Sequence, residues 1–346
     1  MKKSFQRIIP GFAIAAAIFF SACDNGNSNS LSPITPESSA DNPSLSSTVP
    51  TSSTVPASQV GPEVSSSSGA IQPTSSVTIP GSSASNDGYQ AGTLEEEIAK
   101  DAAFVEASSA NGELIPVVDL LASLKPTDRV IFVLRHARRG SGTGRETQLH
   151  DTGKDQSASL GAAIATVNMM EPIFYAHSDF VRTRQTALFI YGGRGGDTTQ
   201  FVSTIVPKLA GGGYVKNDSL LALHAEEDFG TNQLKVFASW MYKGEYLDTF
   251  NDLTETSVAL LTQHILPAFP PEYRIGIMIS HDMVVAPLTA YLTKLAVDFK
   301  AYEDLGQWCG YVQGVAIIIA ADGSRRYIPV DGLYGQYANY NGTNKK

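Results

Sequence analysis

Four short apolar runs rich in β-branched residues, Val130 to Leu134, Ile173 to Ala176, Ile275 to Ile279 and Val315 to Ile319, recur between segments of helical character. Runs that are apolar at every position suit strands covered on both faces, because a strand with one wet face alternates. Between them, Gly153 to Val167 and Phe180 to Phe189 repeat apolar residues at helical spacing, and Met283 to Leu295 reads as a buried helix. This alternation predicts an α/β fold: a three-layer sandwich with a mostly parallel central sheet flanked by helices. Arg325 to Val330 and the run ending at Ile319 are expected to close the sheet without chemistry of their own. Ligands of open α/β sheets bind beyond the carboxyl ends of strands. Two of these strands exit there into reactive side chains, Arg135-His136 after the first and His281-Asp282 after the third.

Only part of the 346 residues carries this pattern. Lys2, Lys3 and Arg7 precede an apolar run from Ile8 to Phe20 that is short for a membrane span of about 20 residues. It ends in Phe20-Ser21-Ala22-Cys23, which resembles a bacterial lipobox. That resemblance implies cleavage before Cys23, lipid on its thiol and retention in the bacterial cell envelope, outside the cytoplasm, on a membrane the sequence does not specify. From Asp24 to about Gln90, Ser, Thr, Pro, Gly and Ala dominate and Lys and Arg are absent. Such a tract buries too little apolar surface to offset its ordering entropy and is expected to be a disordered tether. The expected organisation is a signal over 1–22, lipidated Cys23 with its tether through 92, and one folded domain over 93–346.

The chain carries a net charge of −9, and the folded part stays acidic once the tether's acids and the signal's bases are set aside. Nucleic acid is therefore excluded as the expected partner, since phosphate backbones select basic surfaces. With Cys23 lipidated, Cys309 is the one remaining thiol, so the domain is expected to hold together by its core without an internal disulfide.

The strongest local signal is Leu134-Arg135-His136-Ala137-Arg138-Arg139-Gly140, where a buried strand runs directly into three arginines and a histidine. Alone it fits a solvated basic loop as well as an anion site. Three further segments accompany it in order: Leu149-His150-Asp151-Thr152-Gly153-Lys154-Asp155-Gln156, then Ser178-Asp179-Phe180-Val181-Arg182-Thr183-Arg184-Gln185-Thr186-Ala187, then Ser280-His281-Asp282. In this order they resemble the histidine phosphatase superfamily, which includes the cofactor-dependent phosphoglycerate mutases and the histidine acid phosphatases. Ala137 stands where the family's opening motif has Gly.

The resemblance implies phosphomonoester hydrolysis through a phosphohistidine, with a small phosphorylated substrate and no cofactor or metal. His136 would be the nucleophile and His281 a hydrogen-bond donor to the phosphoryl oxygens. Arg135, Arg182 and Arg139 would bind the phosphate, with Arg138 pointing elsewhere. Chemistry favours such a set, because the transferred phosphoryl spreads negative charge over three oxygens and a guanidinium meets it as a permanently charged, bidentate fork. Neighbouring arginines also disfavour the imidazolium, leaving the attacking lone pair free. For the leaving group's proton the two branches of the family differ. One maps the donor onto Asp282, which is preferred here; the other maps it onto Glu226, four residues before Gly230 in Glu226-Glu227-Asp228-Phe229-Gly230. A phosphate-binding lipoprotein with little turnover and a phosphomutase are the alternative functions.

Other signals are bland. His150, His177, His224 and His264 are expected at the surface or in the polar core. Gly192-Gly193-Arg194-Gly195-Gly196 lacks the Gly-Lys-Ser/Thr ending of a phosphate loop and is expected to be a flexible turn. Neither a Gly-x-Ser-x-Gly elbow nor a His-Glu-x-x-His helix occurs. Residues selecting the substrate are expected between Gly211 and Pro271, a stretch with little pattern.

Overall fold

The protein is described here by a computed structural model covering residues 89–108, 112–168, 170–304 and 306–332. Cys23, the signal and most of the expected tether lie outside the described residues.

Each run singled out for strand character forms a strand: β2 (Arg129–Arg135), β3 (Ile173–His177), β5 (Ile275–Ser280) and β6 (Gln313–Ile319). With β1 (Ile115–Pro116), β4 (Thr204–Ile205) and β7 (Arg325–Asp331) they build one seven-stranded sheet in the order β1-β7-β6-β2-β5-β3-β4. Pairings β2/β5, β5/β3, β3/β4 and β1/β7 are parallel, and β6 is antiparallel to both β2 and β7.

Residues of β2 alternate between two hydrophobic clusters, which accounts for its unbroken apolar run. Val130, Phe132 and Leu134 pack with α2 (Val117–Ser123), α3 (Asp151–Val167) and α4 (Val181–Gly193). Ile131 and Val133 face the other layer, built from α1 (Leu94–Ala107), α5 (Asp218–Phe229), α6 (Gln233–Lys243), α7 (Leu253–Leu260) and α9 (Asp282–Leu292). A π-turn, Leu261–Ile265, and α8 (Leu266–Ala268) continue α7. All five side chains from Val130 to Leu134 are fully buried, each contributing about 1.5–3 kcal/mol by removal from water. The architecture is the expected three-layer α/β sandwich.

One expectation is corrected. The glycines after Phe189 do not begin a flexible turn; Gly192 and Gly193 end α4. A β-carbon on Gly193 would lie 2.0 Å from the Ala158 carbonyl oxygen, and one on Gly161 would lie 2.1 Å from that of Ile190. Glycine at both positions lets α3 and α4 pack backbone to backbone.

Candidate active site

Register aligns the strand ends that carry the motifs. Arg135 pairs with Ser280 and His177 with Ile279, so β2, β5 and β3 stop almost level. The backbone then ties the exits together: His136 N–H donates to the Ser280 carbonyl, and Ser178 N–H to that of Ile279. His136 and His281 follow directly, with ring centroids 5.3 Å apart and edge to face.

The intervening motif residues support the loop after β2. Gln156 accepts from Arg138 N–H (3.1 Å), the Thr186 hydroxyl from Ala137 N–H (3.1 Å) and Gln185 from Leu149 N–H (2.8 Å). Gly153 is needed because a β-carbon there would lie 2.0 Å from the Arg138 carbonyl oxygen. Gly, Gln and Thr-Ala in the two middle segments thus brace the loop that carries His136 and Arg139.

Around His136 the hydrogen bonds define a tautomer. Its Nδ1 lies 2.7 Å from the Ala137 carbonyl oxygen, which only accepts, so Nδ1 carries the proton. Nε2 is then the lone-pair nitrogen and accepts from Arg182 Nε at 3.2 Å. Burial, then His281, Arg182 and Arg135, holds the His136 imidazolium well below the ordinary histidine range. His281 is lowered in the same way by burial, Arg182, Arg135 and Arg139. Burial and repulsion from Arg139 also lower Arg182, to about 10, which leaves it charged at neutral pH.

His281 has partners at both ring nitrogens. Its Nε2 lies 2.9 Å from the Ser178 hydroxyl and its Nδ1 lies 3.3 Å from Arg182 Nη2. Because Arg182 can only donate, Nδ1 is an acceptor in the phosphate-free site. Donating from Nδ1 to a phosphoryl oxygen requires a proton on that nitrogen, reached by exchange from Nε2, where the Ser178 hydroxyl can donate instead, or by gain of a second proton.

These groups line a cavity of about 540 Å³, within the range of ligand pockets. Arg135, His136, Arg139, Arg182, His281 and Asp282 all reach it, whereas Arg138 is exposed. Arg139 Nη1 donates to the Gly142 carbonyl and Arg182 Nη1 to that of Gly144 (2.9 Å). Asp282 is buried: Oδ2 is 3.2 Å from Arg135 Nη2 and accepts from the Trp308 indole N–H at 3.2 Å, while Oδ1 accepts from Met283 N–H at 3.1 Å.

Glu226 is not brought to the site. The buried side of α5 is Leu221 and Ala225, which turns Glu226, Glu227 and Asp228 to solvent and away from the cavity wall. Asp218, at the first turn of α5, is the carboxylate of that segment that lines the cavity. Sequence reasoning also passed over Arg145, Lys208 and Phe237 on the wall, and Trp308 and Tyr311 behind Arg135. None of these stands in a motif; loops and α6 deliver them from distant parts of the chain.

The remaining histidines are ordinary. His150 caps α3 by accepting from Thr152 N–H, His177 is buried against Ser178 and Ser203, His224 faces Asp248, and His264 is partly buried. Among the described residues, no three His, Cys, Asp or Glu side chains are grouped to hold a metal ion. No helix of the described residues is long and apolar enough to cross a membrane.

No protein-family model matches the sequence, and neither does any curated protein. Solved structures similar to it include mycobacterial hydrolase 1, at 17% identity over 59% of this chain and 97% of that one, with a TM-score of 0.38. A phosphoglycerate mutase from Bacillus anthracis str. Sterne is 13% identical over 60% of this chain and 93% of its own, at 0.37. A mycobacterial glucosyl-3-phosphoglycerate phosphatase is 15% identical over 58% and 97%, at 0.35.

Proposed function

We propose that this chain is a histidine phosphatase that hydrolyses phosphomonoesters through a phosphohistidine at His136. The observation that carries this reading is the His136 tautomer: a buried, neutral ring whose Nε2 lone pair faces Arg182 inside a cavity also lined by Arg135 and Arg139. In that cavity a phosphate dianion meets the guanidinium groups of Arg135, Arg139 and Arg182, with its phosphorus before Nε2.

In the first step Nε2 bonds to phosphorus as the ester P–O bond breaks, and the leaving oxygen takes the proton of a carboxylic acid side chain on the wall, leaving it a carboxylate. In the second, water attacks the phosphohistidine, the P–N bond breaks, and the same carboxylate receives the water's proton. Arg135, Arg139 and Arg182 hold the equatorial oxygens throughout, in a low-dielectric site where fixed charges act strongly. His281, with its proton on Nδ1 and the Ser178 hydroxyl donating to Nε2, adds a donor.

We further propose that the domain works outside the cytoplasm, held by lipid on Cys23 and the tether that follows. The phosphatase reading is tested by phosphate release from 4-nitrophenyl phosphate. Wild-type protein is expected to turn over and His136→Ala to lose at least about 10³-fold in kcat. Tight phosphate binding without release would favour the binding lipoprotein instead, and retention of the phosphoryl group on a second position of the same molecule would favour a mutase.

A further inference from the structure

Among the described residues, two carboxylates line the cavity, Asp218 and Asp282, and their surroundings are opposite in kind. Every hydrogen-bond partner of Asp282 is a donor: Arg135 Nη2 and the Trp308 indole N–H meet Oδ2, and Met283 N–H meets Oδ1. Such a shell is built to hold a carboxylate. Asp282 also shares in holding Arg135: it grips one edge of the guanidinium, the Cys309 carbonyl accepts from Nη1 at 2.7 Å, and Tyr311 lies under the guanidinium at 4.4 Å. Cys309, Tyr311 and Asp282 therefore hold the arginine on three sides, and Trp308 ties Asp282 to the segment that carries Cys309 and Tyr311. Asp218 has none of this. It lies in the first turn of α5, solvent-exposed, and lines the cavity together with Val215 and Phe237.

We propose that these two carboxylates divide the work: Asp282, with Trp308, is a positioning residue that fixes Arg135 on the phosphate, and Asp218 gives the leaving oxygen its proton. The Asp218 role rests on the phosphatase reading above; the role of Asp282 and Trp308 in phosphate binding does not.

The test uses the full chain, with inorganic phosphate as the binding probe and two esters of unequal leaving group, phenyl phosphate (poor) and 4-nitrophenyl phosphate (good). Asp282→Asn is expected to weaken phosphate binding about tenfold and Trp308→Phe, which keeps the ring and loses only the N–H, about threefold. Both effects should vanish in an Arg135→Met background, which a merely structural loss would not do. Asp282→Asn should slow both esters by the same factor, whereas Asp218→Asn should slow phenyl phosphate about tenfold more than 4-nitrophenyl phosphate. Unchanged phosphate binding in Asp282→Asn, with a loss confined to phenyl phosphate, would make Asp282 the donor and overturn the proposal. Equal slowing of both esters by Asp218→Asn would overturn its half. A wild-type protein that binds phosphate but releases none would sink the phosphatase reading and the Asp218 role with it, while the Arg135 cycle would still decide for or against Asp282 and Trp308.

Discussion

A neutral histidine buried among arginines makes two demands on pH. His136 and His281 both have folded-state values below the ordinary histidine value of about 6.5. The unfolded chain therefore binds protons that the folded one refuses, so their contribution to stability is present above about pH 6.5 and is lost as pH falls through the folded values. Each should cost about 1.4 kcal/mol per pH unit below that point. Thermal unfolding followed from pH 7 to pH 5 should show the decline, and His136→Ala should flatten part of it. The same chemistry links binding to the ring's proton, because Nδ1 of His281 accepts from Arg182 and must become a donor to meet a phosphoryl oxygen. Proton uptake on inorganic phosphate binding, measured as a dependence of the calorimetric heat on the buffer's ionisation enthalpy, marks a second proton on the ring, and binding with no uptake marks exchange between its two nitrogens. His281→Asn should abolish any such uptake; an unchanged uptake would place the proton elsewhere.

Among the elements, α3 and α4 bear most directly on the site, since both brace the loop after β2 and both rely on glycine. Gly161→Ala should force the two helices apart, at a cost of about 1–3 kcal/mol, visible as a lower unfolding temperature with activity retained below it. Gly153→Ala should cost more activity than stability, because the obstacle is the Arg138 carbonyl in the loop that carries His136 and Arg139. The central strands and these two helices were legible in the sequence because their apolar residues are consecutive or regularly spaced and end in motifs. The stretch from Gly211 to Pro271 was not. There α5 buries only Leu221 and Ala225 and exposes Leu223, so its pattern is too dilute to read. That is also why spacing names Glu226 as the alternative to Asp282 and passes over Asp218: without the helix's orientation, nothing distinguishes an acid on the wall from one in solvent. His136, Arg135, Arg182 and His281 were legible because strand ends deliver them in sequence order, whereas Trp308 and Tyr311 reach Arg135 from a loop with no motif.

At the scale of the molecule, the first described helix is fastened to the sheet by charge. Arg325 on β7 lies 3.4 Å from Glu97 and 3.7 Å from Asp101 on α1, with all three side chains buried, and the Tyr327 hydroxyl donates to Asp101. Removing one member strands a buried charge, so Arg325→Ala should cost about 3–5 kcal/mol in urea unfolding while phosphate binding by the folded fraction is unaffected. The fastening lies at the end of the sheet away from the cavity, since Arg325 pairs with Ile319 and Ile319 with Arg129, at the start of the strand that ends in Arg135. The central claim concerns neither tether nor latch but the covalent step at His136. Its most direct test is to quench the enzyme in base during turnover of a ³²P-labelled ester and locate the label by peptide mass spectrometry. An acid-labile, base-stable phosphoryl group on His136, absent from His136→Ala, is the expected result. Steady turnover with no label on His136, or label retained in His136→Ala, would contradict it.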